Sequence, residues 1–148
     1  LRSMPTILEV LADNATRTKD PETLTELVRQ RLGRALCEQY ADAGGVVHAV
    51  TLDPEVEAGL ASAVGVGMSD DSGTVTPAWL QQLVEQIGEQ ITQSTKTGKD
   101  VVLLVRSNVR RFVGELVRAS MPKVAVLSYS EVVAARSVET AAVVKMEA

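Results

Sequence analysis

Apolar positions in the first forty residues recur at helical spacing. Met4, Ile7, Leu8 and Leu11 fall at i, i+3, i+4 and i+7, with Ser3 placed to cap the start and Pro5 in the first turn. Asn14 to Lys19 is polar and reads as a connector. Asp20-Pro21-Glu22 then restarts a helix. The Asp carboxylate can accept from an orphan backbone N–H, and Pro supplies a fixed φ where no donor is needed. Leu24, Leu27, Val28, Leu32, Ala35, Leu36 and Tyr40 continue one apolar stripe, which predicts a single long helix ended by Gly44-Gly45. Residues 1–44 thus predict two packed helices.

From residue 46 the pattern shortens and becomes β-branched. Val46 to Leu52 predicts a buried strand. Asp53-Pro54-Glu55 repeats the earlier cap and opens a helix through Val56, Leu60 and Val64. Gly65 to Gly73 is rich in Gly, Ser and Asp and predicts a loop. Thr76-Pro77 starts a further helix with Leu80, Leu83, Val84, Ile87 and Ile91 on one face, and Lys96 to Lys99 predicts a turn. Val101 to Val105 is an uninterrupted apolar run, as in a strand covered on both faces. Ser107-Asn108 is placed to cap a helix carrying Val109, Phe112, Val113, Leu116 and Val117, stopped by Pro122. Lys123 to Leu127 predicts a strand, Ser130 to Arg136 a connector, and Ser137 to Lys145 a final edge strand. The β-α-β order from 101 to 127 implies a parallel pair. The fold class expected is α+β or α/β: a helical subdomain over residues 1–44, then a terminal α/β subdomain over 45–148 with about four strands and packed helices.

Composition narrows the function. With 45% hydrophobic and 23% charged residues, the 148-residue chain has enough apolar material to offset the entropy of ordering. No apolar stretch reaches the roughly 18–20 residues needed to cross a bilayer, and Leu1-Arg2-Ser3 leads into structured sequence without the apolar region of a signal peptide. The missing initiating Met suggests a fragment of something larger. Aromatic residues are only 3% and the net charge is −4, so stacking platforms and positive surface for nucleic acid are both lacking. The first forty residues balance six basic against six acidic side chains; the excess acidity lies beyond them. One Cys and one His supply neither an internal disulfide nor the ligand set of a structural zinc site.

Candidate chemistry is sparse. Gly65-Val66-Gly67 with Gly73 follows a helix and contains Asp70-Asp71, which would repel a phosphate; a loop explains it better. His48 has no nucleophile motif near it and reads as a buried structural His. Cys37 beside Leu36 and Tyr40 behaves as a small hydrophobe. Asp53 and Glu55 are explained by capping, and Trp79 is either a core anchor or an exposed contact. Arg29, Arg31 and Arg34 stud the long helix, with Arg2, Arg17 and Lys19 nearby. They read either as a solvated face paired with Glu22, Glu26 and Glu38, or as a protein–protein contact suited to planar, multi-donor groups. Arg110-Arg111 are expected to be exposed and Phe112 buried. No catalytic apparatus or cofactor site is visible. The competing reading is a small-ligand or enzymatic α/β domain using the carboxyl ends of the strands near Leu52-Asp53, Arg106-Ser107 and Ser128.

Several blocks, in order along nearly the whole chain, resemble the FlhA/SctV export-gate family of type III secretion. They are Met4-Pro5-Thr6-Ile7-Leu8-Glu9, Thr18-Lys19-Asp20-Pro21, Leu24 to Arg29, Leu32-Gly33-Arg34, Val50 to Glu57, Val102 to Val105 and Val126 to Val132. The Thr-Lys-Asp-Pro and Thr-Leu-Asp-Pro blocks are more similar to the flagellar branch. Residues 65–75 and Ala134-Ala135-Arg136 depart from the family's usual connections.

The resemblance implies the last two of four cytoplasmic subdomains of an inner-membrane protein: a ring-building helical one and a terminal α/β one. It implies a non-enzymatic docking platform at the cytoplasmic face of the bacterial inner membrane, without cofactor or metal. Its partners would be copies of itself in a nonameric ring, export substrates with their chaperones, and the stalk protein of the ATPase complex. Membrane contact would come only through a missing N-terminal region. Arg2, Arg17, Arg29 and Arg31 are the expected interface residues.

Overall fold

The computed structural model describes residues 3–15, 17, 20–65, 75–98, 100–133 and 135–146. Arg2, Lys19, and the glycine-rich stretch with Gly67, Gly73 and Asp70-Asp71 lie outside them. Among the described residues, six helices, a 3-10 turn and four strands follow in the order α1 (Met4–Asn14), α2 (Pro21–Arg31), α3 (Gly33–Tyr40), β1 (Val46–Leu52), α4 (Pro54–Gly65), α5 (Pro77–Thr95), β2 (Val102–Val105), α6 (Ser107–Arg118), β3 (Val126–Ser128), the 3-10 turn Tyr129–Val132 and β4 (Ser137–Val144).

The four strands form one parallel sheet in the order β3-β2-β1-β4. A parallel sheet needs both faces covered, and alternation along β1 shows how. Val50 and Leu52 join Leu103 and Val105 in a core with Val56 and Leu60 of α4, Leu83, Ile87 and Ile91 of α5, and Val109, Val113 and Val117 of α6. Val47 and Ala49 join Val102, Leu104 and Leu127 on the opposite face, where Cys37 of α3 and Val132 close a second core. Trp79 and Phe112 are half-buried against the first. The mixed α/β class and the terminal edge strand agree with the periodicity.

Three local expectations are corrected. The long helix breaks at Leu32, whose φ of −86° and ψ of 5° leave the helical region. The next residue, Gly33, is packed so tightly that a Cβ there would lie 2.7 Å from the Glu131 carbonyl oxygen. The bend lets α3 cover the sheet while α2 turns toward α6. Capping differs at two starts: Ser3 makes no side-chain cap, and Arg106, not Ser107 or Asn108, occupies the N-cap of α6 without a side-chain bond. Ser130 to Arg136 is not wholly a connector, because the 3-10 turn begins at Tyr129, directly after β3. The caps at Asp20, Asp53 and Thr76 form as expected, with side chains accepting from Glu22 and Thr23, Glu55, and Trp79 respectively.

Candidate functional site: an ionic joint between helices and sheet

Ser128 and Glu131 are spaced as a capping box, and both halves of it form. Glu131 Oε1 accepts from the Ser128 amide at 2.9 Å, which draws the carboxylate inward until no part of the residue is exposed. A buried carboxylate is costly unless paired. Two arginines from different helices supply the charge. Arg29 Nη2 of α2 lies 3.1 Å from Glu131 Oε2, and Arg110 Nε of α6 lies 3.9 Å from Oε1. The Glu131 main chain is held as well, since its carbonyl accepts from Cys37 Sγ at 3.3 Å and rests against Gly33.

Around this centre the acidic side of α2 meets the basic side of α6. Arg110 Nε donates to both oxygens of Glu26, at 2.9 and 3.1 Å, and its Nη2 also pairs with that carboxylate. Arg111 pairs with Glu22, and with Glu115 at 3.4 Å. Glu22 and Glu26 therefore do not pair along their own helix, as a solvated face would require. They reach across to α6, whereas Arg34–Glu38, at 3.7 Å and largely exposed, and Arg111–Glu115 are pairs within one helix. Arg110 is accordingly half-buried, against expectation, while Arg111 is exposed and Phe112 half-buried. Bidentate Arg–carboxylate geometry fixes direction as well as distance, so this cluster sets the angle at which α2 sits on the sheet layer.

Of the four interface candidates, Arg2 lies outside the described residues. Arg17 and Arg31 are exposed, and Arg29 is half-buried in the joint. Met4 and Leu8, 43% and 59% exposed, present apolar surface on α1 one turn apart. Glu131, Glu26 and Arg110 were missed as a set. The Ser-x-x-Glu spacing of 128–131 was a readable signal for the first; nothing in the linear order joins it to residues 26, 29 and 110.

The carboxyl ends of the strands hold a second buried acid, Glu57. Its Oε2 accepts from the Arg106 amide at 3.0 Å and lies 3.7 Å from Arg106 Nε. Burial pushes the Glu57 carboxyl above the usual range, opposed by the Arg106 amide bond and charge. Burial, then the Glu57 charge, likewise push the Tyr129 phenol up. Asp53 is occupied in capping α4. His48 is buried and bonded from Nε2 to Asp42 Oδ2 at 2.9 Å, which suits the structural role expected of it. Among the described residues no group of three or more His, Cys, Asp or Glu could hold a metal ion, and no described helix is long and apolar enough to cross a membrane. Glu26, Glu57, Asp42 and Glu131 are each engaged in joining one element to another.

The chain belongs to the FHIPEP family, which matches residues 1–137. Its relatives include proteins named FlhA, and a solved structure of SctV-C shares its fold. Flagellar biosynthesis protein FlhA of Escherichia coli is 35% identical over 131 residues, 88% of this chain and 18% of its own. Low calcium response locus protein D of Yersinia pestis is 31% identical, over 88% of this chain and 19% of its own. The chain thus spans about a fifth of the length of such relatives, and relatives with flagellar and non-flagellar names both match. Among solved structures, nonameric EPEC SctV-C superposes with a TM-score of 0.80 at 24% identity, covering 97% of this chain and 43% of that one. CdsV, in the Chlamydia pneumoniae CdsV and CdsO complex, does so with a TM-score of 0.79 at 26% identity, covering 96% and 42%.

Proposed function

We propose that this chain is a docking-platform portion of a protein export gate at the cytoplasmic face of the bacterial inner membrane, on the flagellar branch. In this reading residues 1–44 build a homo-oligomeric ring and residues 45–148 form the terminal subdomain that meets the ATPase stalk protein. The ring receives export substrates and their chaperones. The observation that carries the reading is the family match over residues 1–137 together with the fold shared with the nonameric relative. The relative solved with CdsO supports the stalk contact, and the Thr-Lys-Asp-Pro and Thr-Leu-Asp-Pro blocks support the branch.

The geometry sorts the arginines for this role. Arg29 holds the joint and has its charge met inside the chain, whereas Arg17 and Arg31 are exposed, as are Met4 and Leu8 of α1. Ring contacts built head-to-tail close by rotation and use different patches on the two neighbours. Arg17 and Arg31 are therefore the contacts to reverse. In the complete cytoplasmic region, Arg17→Glu with Arg31→Glu lowers self-association at least about tenfold in sedimentation velocity, the loss of roughly 1.4 kcal/mol of contact. Unchanged sedimentation of the doubly substituted protein removes the helical surface from the ring.

A further inference from the structure

We propose that Asp42, His48 and Glu139 form a proton-operated clasp, which fastens the edge strand β4 to β1 while the imidazole is charged and loosens it when the imidazole is neutral. The argument starts from donors and acceptors. His48 is 6% exposed, and each of its ring nitrogens faces a carboxylate: Nε2 lies 2.9 Å from Asp42 Oδ2, and Nδ1 lies 3.5 Å from Glu139 Oε2. An ionised carboxylate only accepts, and a neutral imidazole carries one N–H and one lone pair. Only the doubly protonated ring can face both partners with hydrogen; a neutral ring sets a lone pair against one of them.

The two carboxylates are not equivalent. Asp42 is fixed in place, because its Oδ1 accepts from the Gly44 amide at 2.9 Å and the Val46 amide at 3.0 Å. The hydrogen bond from His48, then the one from Val46, hold its carboxyl below the usual value of 3.8. The Glu139 side chain is 63% exposed, and among the described residues only His48 meets its carboxylate. Loss of a proton therefore keeps the Nε2–H bond to Asp42 and releases Glu139. The remaining groups facing the ring lie across a recess of about 250 Å³: Tyr40 of α3, and Asp100 just ahead of β2. Both leave the ring's cationic form unopposed, since no described lysine or arginine lines the recess. The clasp is complete while both ring nitrogens carry hydrogen and opens when Nδ1 loses its proton.

The consequence falls on one strand. β4 is the sheet edge and pairs only with β1, where Glu139 stands in register with His48. Its pairing is interrupted just beyond, by a register shift between Ala49 and Val50 of β1. From Val46 to Ala49, then, β4 is held on a short ladder whose charged side-chain tie, among the described residues, is Glu139 to His48.

The test is amide exchange in the 148-residue chain and in Glu139→Gln, whose exposed side chain leaves the core untouched. Protection factors for residues 138–144 are read against those of Val102–Val105 in β2, between about pH 5 and about pH 8, where imidazoles change charge. In the unaltered chain, β4 protection relative to β2 falls about two- to fivefold across that range, as expected for an ion pair with one exposed partner. In Glu139→Gln the fall is absent or reversed, because the amide donates to a neutral Nδ1. Imidazole nitrogen resonances show both nitrogens protonated at the low end and Nδ1 alone bare at the high end. An equal fall in both proteins, or a ring that stays in one protonation state throughout, overturns the clasp.

Discussion

At the scale of single residues, Glu131 is where the free energy is most exposed to substitution. Breaking a buried ion pair from one side costs about 3–5 kcal/mol because an unpaired charge is left behind. Arg29 is 30% exposed in its side chain and Arg110 remains nearby, so the screened cost is smaller. Arg29→Met should lower the unfolding free energy by about 1–3 kcal/mol in urea melts. Glu131→Gln keeps the capping box, since Gln also serves at that position. Added to Arg29→Met, it should recover most of the loss, a coupling that a double-mutant cycle reads directly. Simple addition of the two single effects would mean the charges do not interact.

Glu57 behaves in the opposite sense. Its carboxyl is pushed up chiefly by burial, so the folded chain binds its proton more tightly than the unfolded one. The ionised form thus costs stability: the cost is absent below the usual value of 4.5 and grows as pH rises through the folded-state titration. Glu57→Gln should raise the Tm at neutral pH, with the difference vanishing in melts run below that value. A gain that persists in acid would point to packing instead of charge.

At the scale of elements, periodicity was enough for most of the map. Val109, Val113 and Val117 mark the inner face of α6, and Val46 to Leu52 a central strand, because burial repeats at the period of the backbone that produces it. The break at Leu32 escaped this reading, since the apolar stripe runs through it unchanged. The cause sits ninety-eight residues away, in the Glu131 carbonyl against Gly33. That contact reverses a familiar sign. Gly→Ala in a helix ordinarily gains up to about 1 kcal/mol, but a methyl group 2.7 Å from a backbone oxygen forces movement typically costing about 1–3 kcal/mol. Gly33→Ala should therefore destabilise, measured as a lower urea midpoint at unchanged slope. A more stable Gly33→Ala protein would show that α3 can lift off without penalty.

At the scale of the whole molecule, the helical segment and the α/β segment share a core through Cys37 and a charge cluster through Glu131. The 3-10 turn packed against α2 and α3 begins at Tyr129 and is followed by Val133, whose exposures are 42% and 81%. These two side chains offer a finer probe of the proposed stalk contact than removal of residues 100–148, which would take away three of the four strands. Tyr129→Ala with Val133→Asp should weaken stalk-protein binding about tenfold in calorimetry while leaving the melting curve of the chain nearly unchanged. Full affinity in that variant would place the contact elsewhere.

The sequence by itself determined the α/β class, the capped starts at Asp20, Asp53 and Thr76, the central and edge strands, and the family, because each is written in local spacing or in short ordered blocks. Tertiary structure alone decided which arginines face outward. Arg29 and Arg31 stand two residues apart on one helix, yet one meets a buried carboxylate and the other meets solvent. The physical reason is that a charge's partner is set by distance in space, and residues 26, 29, 110 and 131 become neighbours only after the sheet has formed between them.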